Sequence, residues 1–192
     1  MKKINLIICL LLIWHIWTIK SEGQVVNIRD FQFKPGTVEN YDNGEFKSGK
    51  LVDVVKIENF NCKNIIELYI NGKIKQCKLA EDTEYINIIF TKNTVLFFAE
   101  DDTLDYCWLG KNTVIQKIPC KGGQQTQTSF HKNGKIQCCF LSRSFKIEGI
   151  LCKADLSAPV CFYADGRLKE CTVDADQIVK GKFVKEGSKI LL

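Results

Sequence analysis

The chain has 192 residues, and its 27 Lys and Arg against 22 Asp and Glu give a net charge of +5. Its arginines, Arg29, Arg143 and Arg167, are scattered, which excludes the clustered basic face of a nucleic-acid reader. A 45% hydrophobic content with only 3 prolines excludes a disordered polymer.

The first element reads as an export signal over residues 1–23. Lys2 and Lys3 form a basic start, and Ile4 to Trp17 is apolar apart from Asn5 and His15. Ser21-Glu22-Gly23 then puts small residues at −3 and −1 for cleavage before Gln24. The apolar run falls short of the ~20 residues that a membrane helix needs, so a retained anchor is the alternative reading. Removal of this segment leaves a charge of +3. The expected location is the periplasm, the outer envelope or the extracellular space.

Residues 24–35 form a lead-in, and residues 36–192 form a tandem array. Tyr41–Phe46, Tyr69–Ile74, Ala99–Leu104, His131–Ile136 and Tyr163–Leu168 repeat one phrase. Their starts are 28, 30, 32 and 32 residues apart. Such an array presents a surface and does not assemble a single catalytic pocket.

Each unit offers three β-type runs. In the third copy these are Thr94–Ala99, Thr103–Leu109 and Thr113–Cys120, separated by polar turn residues. Helix is a poor fit because no window has a 3.6-residue apolar period. Asn-Gly or Asp-Gly at four of the five turns predicts a two-residue type I′ hairpin, with positive φ at both positions. That register sets Cys139 opposite Thr128, Cys171 opposite Val160, His131 opposite Ile136 and Tyr163 opposite Leu168. Counting in twos then gives one apolar face: Ile66, Leu68, Cys77 and Leu79 in the second copy, Leu96, Phe98, Cys107 and Leu109 in the third, and Val160, Phe162, Cys171 and Val173 in the fifth. The Tyr163–Leu168 type of pair is expected on the opposite face.

Three strands per unit would reverse the chain from one unit to the next. That parity favours a solenoid, whereas the Asn-Gly register favours hairpins. The expected fold is all-β, an elongated array of antiparallel hairpins in an extended twisted sheet. A three-sided β-solenoid is the alternative.

Nine cysteines remain after residue 23, and seven fall into two columns. The first column is Gly49, Cys77, Cys107, Cys139 and Cys171; the second is Cys62, Phe90, Cys120, Cys152 and Val184. Cys138 and Cys161 lie outside both. Buried thiols and disulfides both fit. Pairs of equivalent residues, such as Cys120–Cys152 or Cys139–Cys171, would require the solenoid, because a hairpin sheet sets two or more strands between them. No metal site is expected, since Cys-x2-Cys is missing and His131 is the only histidine after residue 23.

No catalytic constellation appears, and no cofactor is expected. His131 fills a slot held by Tyr41, Tyr69, Ala99 and Tyr163, which reads as a ring beside a turn. The acidic groups Glu81-Asp82 and Glu100-Asp101-Asp102 fall in turns. Tyr69, Lys73, Trp108, His131, Tyr163 and Arg167 are the candidate contact residues.

The phrase Tyr-x-Asn-Gly-Lys-Ile/Leu, at Tyr69–Ile74 and loosely at Tyr163–Leu168, resembles the bacterial variant of the MORN repeat. The longer pattern, with Gly149-Ile150-Leu151-Cys152-Lys153, is similar to exported bacterial proteins with Cys-bearing repeats. This resemblance implies stacked antiparallel hairpins and a role in protein or lipid contact. The Gly-x-Gly ending of the standard unit is missing, and the period here is longer. The expected function is a non-enzymatic scaffold or protein-binding surface with an unidentified protein partner. A peripheral membrane-surface module is the alternative.

Overall fold

Two kinds of hairpin alternate along the chain. A computed structural model describes residues 26–28, 31–124 and 126–192. The expected export signal, residues 1–23, lies outside them.

The first kind of hairpin builds most of a 12-stranded antiparallel sheet, whose twelfth strand is Val55–Ile57. Its strand pairs are Glu39–Asn40 with Phe46–Lys50, Phe60–Leu68 with Ile74–Leu79, Val95–Phe98 with Leu104–Trp108, Gln127–Phe130 with Ile136–Cys139, and Val160–Phe162 with Leu168–Thr172. Lys189–Leu191 closes the far edge against Leu168–Thr172. The hairpin-sheet expectation holds, and the sheet is not closed into a barrel.

The second kind of hairpin is small, and the sequence reading missed it. The run Thr113–Cys120 is not one strand. Thr113–Ile115 folds back on Ile118–Cys120 across Gln116 and Lys117, whose φ values are 49° and 71°. Thr83–Tyr85 with Ile88–Phe90, Phe145–Ile147 with Ile150–Cys152, and Gln177–Val179 with Lys182–Val184 repeat it. Val55–Ile57 pairs likewise with the start of Phe60–Leu68, and Val26–Ile28 pairs with Phe31–Phe33 in the lead-in. A unit therefore has four strands, an even number. This removes the parity problem that had favoured a solenoid.

The sheet turns also correct the sequence reading. In the second copy the Tyr69 amide donates to the Lys73 carbonyl and the Gly72 amide donates to the Tyr69 carbonyl. Gly72 has φ 85°, whereas Asn71 is not in the left-handed region. This is a three-residue loop, a type I turn followed by a left-handed glycine. Asn71 is used differently: its Oδ1 accepts from the Lys73 amide at 3.0 Å. Asn43, Asp101, Asn133 and Asp165 repeat that bond.

The longer loop moves the pairing by one next to the turn, giving Leu68↔Ile74, Phe130↔Ile136 and Phe162↔Leu168. A β-bulge then restores the expected register, as in Glu67↔Gln76, Ser129↔Cys138 and Cys161↔Glu170. So His131 and Tyr163 do not face Ile136 and Leu168. Those two residues point inward and are buried, contrary to the other-face expectation. The predicted apolar face is otherwise intact: every residue named for it in the second, third and fifth copies is buried. Together with Phe60, Phe90, Ile115, Ile147 and Val179 of the small hairpins, it forms one continuous core. Burial of this face supplies the main driving force for the fold.

Candidate binding surface

The outward face of the sheet gathers three aromatic rings in its third unit. Val95–Phe98 sets Leu96 and Phe98 inward, so Phe97 points outward. Across the strand pair lie Tyr106 opposite Phe97 and Trp108 opposite Val95. The Phe97 and Tyr106 rings stack at 4.2 Å between centroids with planes 14° apart. Trp108 meets Phe97 edge-on at 4.7 Å. All three rings are half-buried. Burial, and then the neighbouring Asp105 charge, push the Tyr106 hydroxyl pKa up, so it remains a neutral donor.

The cluster lies in a straight cross-strand row. Register places Gln76 beside Phe97 and Ser129 beside Tyr106, then Cys138, Cys161 and Glu170. Lys78 and Gln127 flank Val95 and Trp108. An aromatic island with a polar rim has the composition of a protein-contact patch.

The other candidate contact residues lie elsewhere, along the turn edge, where they hold the array together. The Tyr69 hydroxyl donates to the Phe98 carbonyl at 2.8 Å, Tyr41 to Leu68 at 2.9 Å, and Tyr163 to Leu192 at 2.6 Å. His131 performs the same task through Nε2, which lies 3.0 Å from the Phe162 carbonyl and must carry the proton there. Each ring thus reaches the backbone one unit ahead. Lys73 pairs with Asp102 at 2.6 Å, and its ammonium donates to the Glu100 carbonyl. Arg167 pairs with Asp165 and lies over the Tyr163 ring.

The shallow groove beside His131 is lined by Tyr85, Asp102 and Lys132 among others, and no cysteine enters it. Asp82 accepts the Lys92 amide, and Glu81 accepts from Asn61. Lys132 and Thr103 hold the Asp101 carboxyl far below the usual range. Among the described residues no group of three or more His, Cys, Asp or Glu is placed to hold a metal.

The cysteine columns lie in the core. Cys62 is bonded to Cys77, and Cys138 to Cys161 on the outer face. Cys107, Cys120, Cys139, Cys152 and Cys171 are buried thiols. Pairs between equivalent positions do not occur, as a hairpin sheet requires.

Phe97 and Tyr106 were missed by sequence reading, although the signal was present. Both share the parity of Trp108 and so fall on the face that should be polar. No family model, no curated protein and no solved structure matches the chain.

Proposed function

We propose that the protein is an exported, non-enzymatic repeat scaffold that binds a protein partner through Phe97, Tyr106 and Trp108. The supporting observation is the stacked aromatic cluster, half-exposed on the outward sheet face and held by one antiparallel strand pair. Aromatic rings supply contact area at low entropy cost, and a sheet fixes their spacing. Disulfides fit an oxidising compartment and support export. The likeness to MORN-type repeats, on the phrase Tyr69–Ile74, belongs to this proposal.

The test is affinity capture from the producing cell's own envelope fraction, with wild type and the double variant Tyr106→Ser/Trp108→Ser side by side. A partner retained by wild type and lost by the folded variant supports the reading. Equal retention by both sinks it.

One observation favours a membrane-surface module as the second reading. Ile178 and Phe183 face each other on the last small hairpin, 65% and 66% exposed, with Lys180, Lys182 and Lys185 beside them. An apolar tip among lysines suits an anionic bilayer. Salt-sensitive binding to anionic vesicles that is lost in Phe183→Ser would favour it.

A further inference from the structure

The bonded pair Cys62–Cys77 joins the second-column residue of one unit to the first-column residue of the next. Three features define its place. Cys62 lies opposite Leu79, two residues beyond Cys77. Its Sγ lies 3.7 Å from the Phe60 carbonyl. Its neighbouring amide, on Ala80, donates to Asn61 across the same strand pair.

The same place recurs twice. Cys120 lies opposite Leu141, two residues beyond Cys139, and Cys152 lies opposite Val173, two residues beyond Cys171. The Cys120 and Cys152 sulfurs lie 3.5 and 3.6 Å from the Ile118 and Ile150 carbonyls. Ser142 donates to Pro119, and Asp174 to Leu151, as Ala80 does to Asn61. The Cys152 and Cys171 sulfurs are 2.8 Å apart. Cys139 is within hydrogen-bonding reach of Cys120.

We propose that the mature chain carries two further cystines, Cys120–Cys139 and Cys152–Cys171, each stapling a small hairpin to the next unit's second sheet strand. The slots without a pair obey the same rule. Where a phenylalanine takes the place of the second-column cysteine, no bond forms. Phe33, opposite Leu51 two residues beyond Gly49, holds that place one unit before the column begins, and Phe90 holds it within the column, leaving Cys107 without a partner. Cys107 is the odd thiol for that reason, and the four cystines account for the other eight cysteines of residues 24–192.

Each new bond breaks two S–H bonds and forms one Sγ–Sγ bond, releasing two protons and two electrons. A disulfide-bearing oxidant of the export compartment accepts them and leaves as two thiols. Attack requires a thiolate. Burial pushes the Cys107 thiol up. The S–H hydrogen bond that each donates, Cys139 to Cys120 and Cys152 to Cys171, together with burial pushes those two up, while accepting that bond pulls Cys171 down. All four sulfurs are buried in the folded core, so the oxidant reaches them while the chain is still open.

The test is cystine mapping of the full chain recovered from an oxidising secretory host. The protein is denatured, alkylated without reduction, digested and sequenced by mass spectrometry. The expected map links Cys152 to Cys171 and Cys120 to the Cys138-Cys139 peptide, with the alkyl label on Cys107. The variant Cys138→Ser/Cys161→Ser resolves the adjacent pair, because the Cys120 link then persists on Cys139 alone. A Cys107–Cys120 link overturns the proposal. So does alkyl label on Cys120, Cys139, Cys152 and Cys171, whether or not Cys62–Cys77 is linked.

Discussion

A Cβ on Gly49 would lie 2.5 Å from Cδ1 of Phe33. No side chain fits there unless the ring moves, and Phe33 is fully buried against Phe46. Phe33 takes the volume that a cystine fills in the next unit. Gly49→Ala is therefore expected to cost about 1–3 kcal/mol by overpacking. The paired variant Phe33→Cys/Gly49→Cys should recover a bond equivalent to Cys62–Cys77. Urea midpoints check the first claim, and non-reducing mass analysis checks the second. An unchanged midpoint for Gly49→Ala would refute the steric account.

Tyr69→Phe removes a hydroxyl that ties one unit to the Phe98 carbonyl of the next. The expected loss is about 1 kcal/mol of unfolding free energy. Burial, outweighing the Lys75 charge, raises this hydroxyl above its ordinary 10.0. The folded state therefore keeps the proton to higher pH than the unfolded state. That contribution is whole below pH 10.0 and is lost as pH rises through the folded value. Tyr69→Phe should flatten the alkaline limb of the stability curve. An identical limb in both proteins would contradict the linkage.

Gly72 sits at φ 85°. Gly72→Ala is expected to destabilise by about 1 kcal/mol, since a Cβ disfavours the left-handed region. Gly72→Asn should cost less, because Asn tolerates that region. The third copy already places Asp102 there at φ 65°. Thermal denaturation of the two variants reads the ranking, and equal midpoints would count against it.

Tyr106→Ser/Trp108→Ser removes the stacked and edge-on contacts with Phe97. The expected stability cost is about 1–3 kcal/mol for the two aromatic pairs together. Far-ultraviolet circular dichroism should keep its β signature, so lost partner capture can be assigned to the surface. A collapse of that signature would mean that the cluster serves the core.

Much of the core was legible because side-chain alternation is counted from any fixed turn. The register in the middle of the strands followed from the sum of paired positions, which the bulge restores. Next to the turn it failed, because Asn-Gly was read as needing two positive φ angles. Asn71 works through its side chain instead, and only Gly72 needs the unusual backbone. The small hairpins were hidden for a different reason. Ile86-Asn87 and Gln116-Lys117 turn with positive φ, yet neither pair contains glycine. Glu148-Gly149 and Lys180-Gly181 carried the signal in later copies. The Cys62–Cys77 bond could not be read, because it depends on which strand the small hairpin is laid against. Trp108, a candidate contact residue, lies on the outward face, but finding its partners needs the parity count to be applied to that face as well.

The chain of rings along the turn edge has one gap. Tyr41, Tyr69, His131 and Tyr163 each reach the next unit, whereas Ala99 has no atom that could reach the Phe130 carbonyl. Across the same gap run an exposed ion pair, Lys132 to Asp101, and the Gln116 side chain, which donates to the Gly134 carbonyl and accepts from the Ile136 amide. The slot of Phe90 and the odd thiol Cys107, where no staple falls, lies one unit earlier, and the proposed Cys120–Cys139 staple joins the third unit to the fourth at the gap itself. Where the ring is missing the proposed staple stands, and where the staple is missing, between the second and third units, Tyr69 reaches Phe98. The two kinds of tie thus cover for each other, and no line between neighbouring units lacks both.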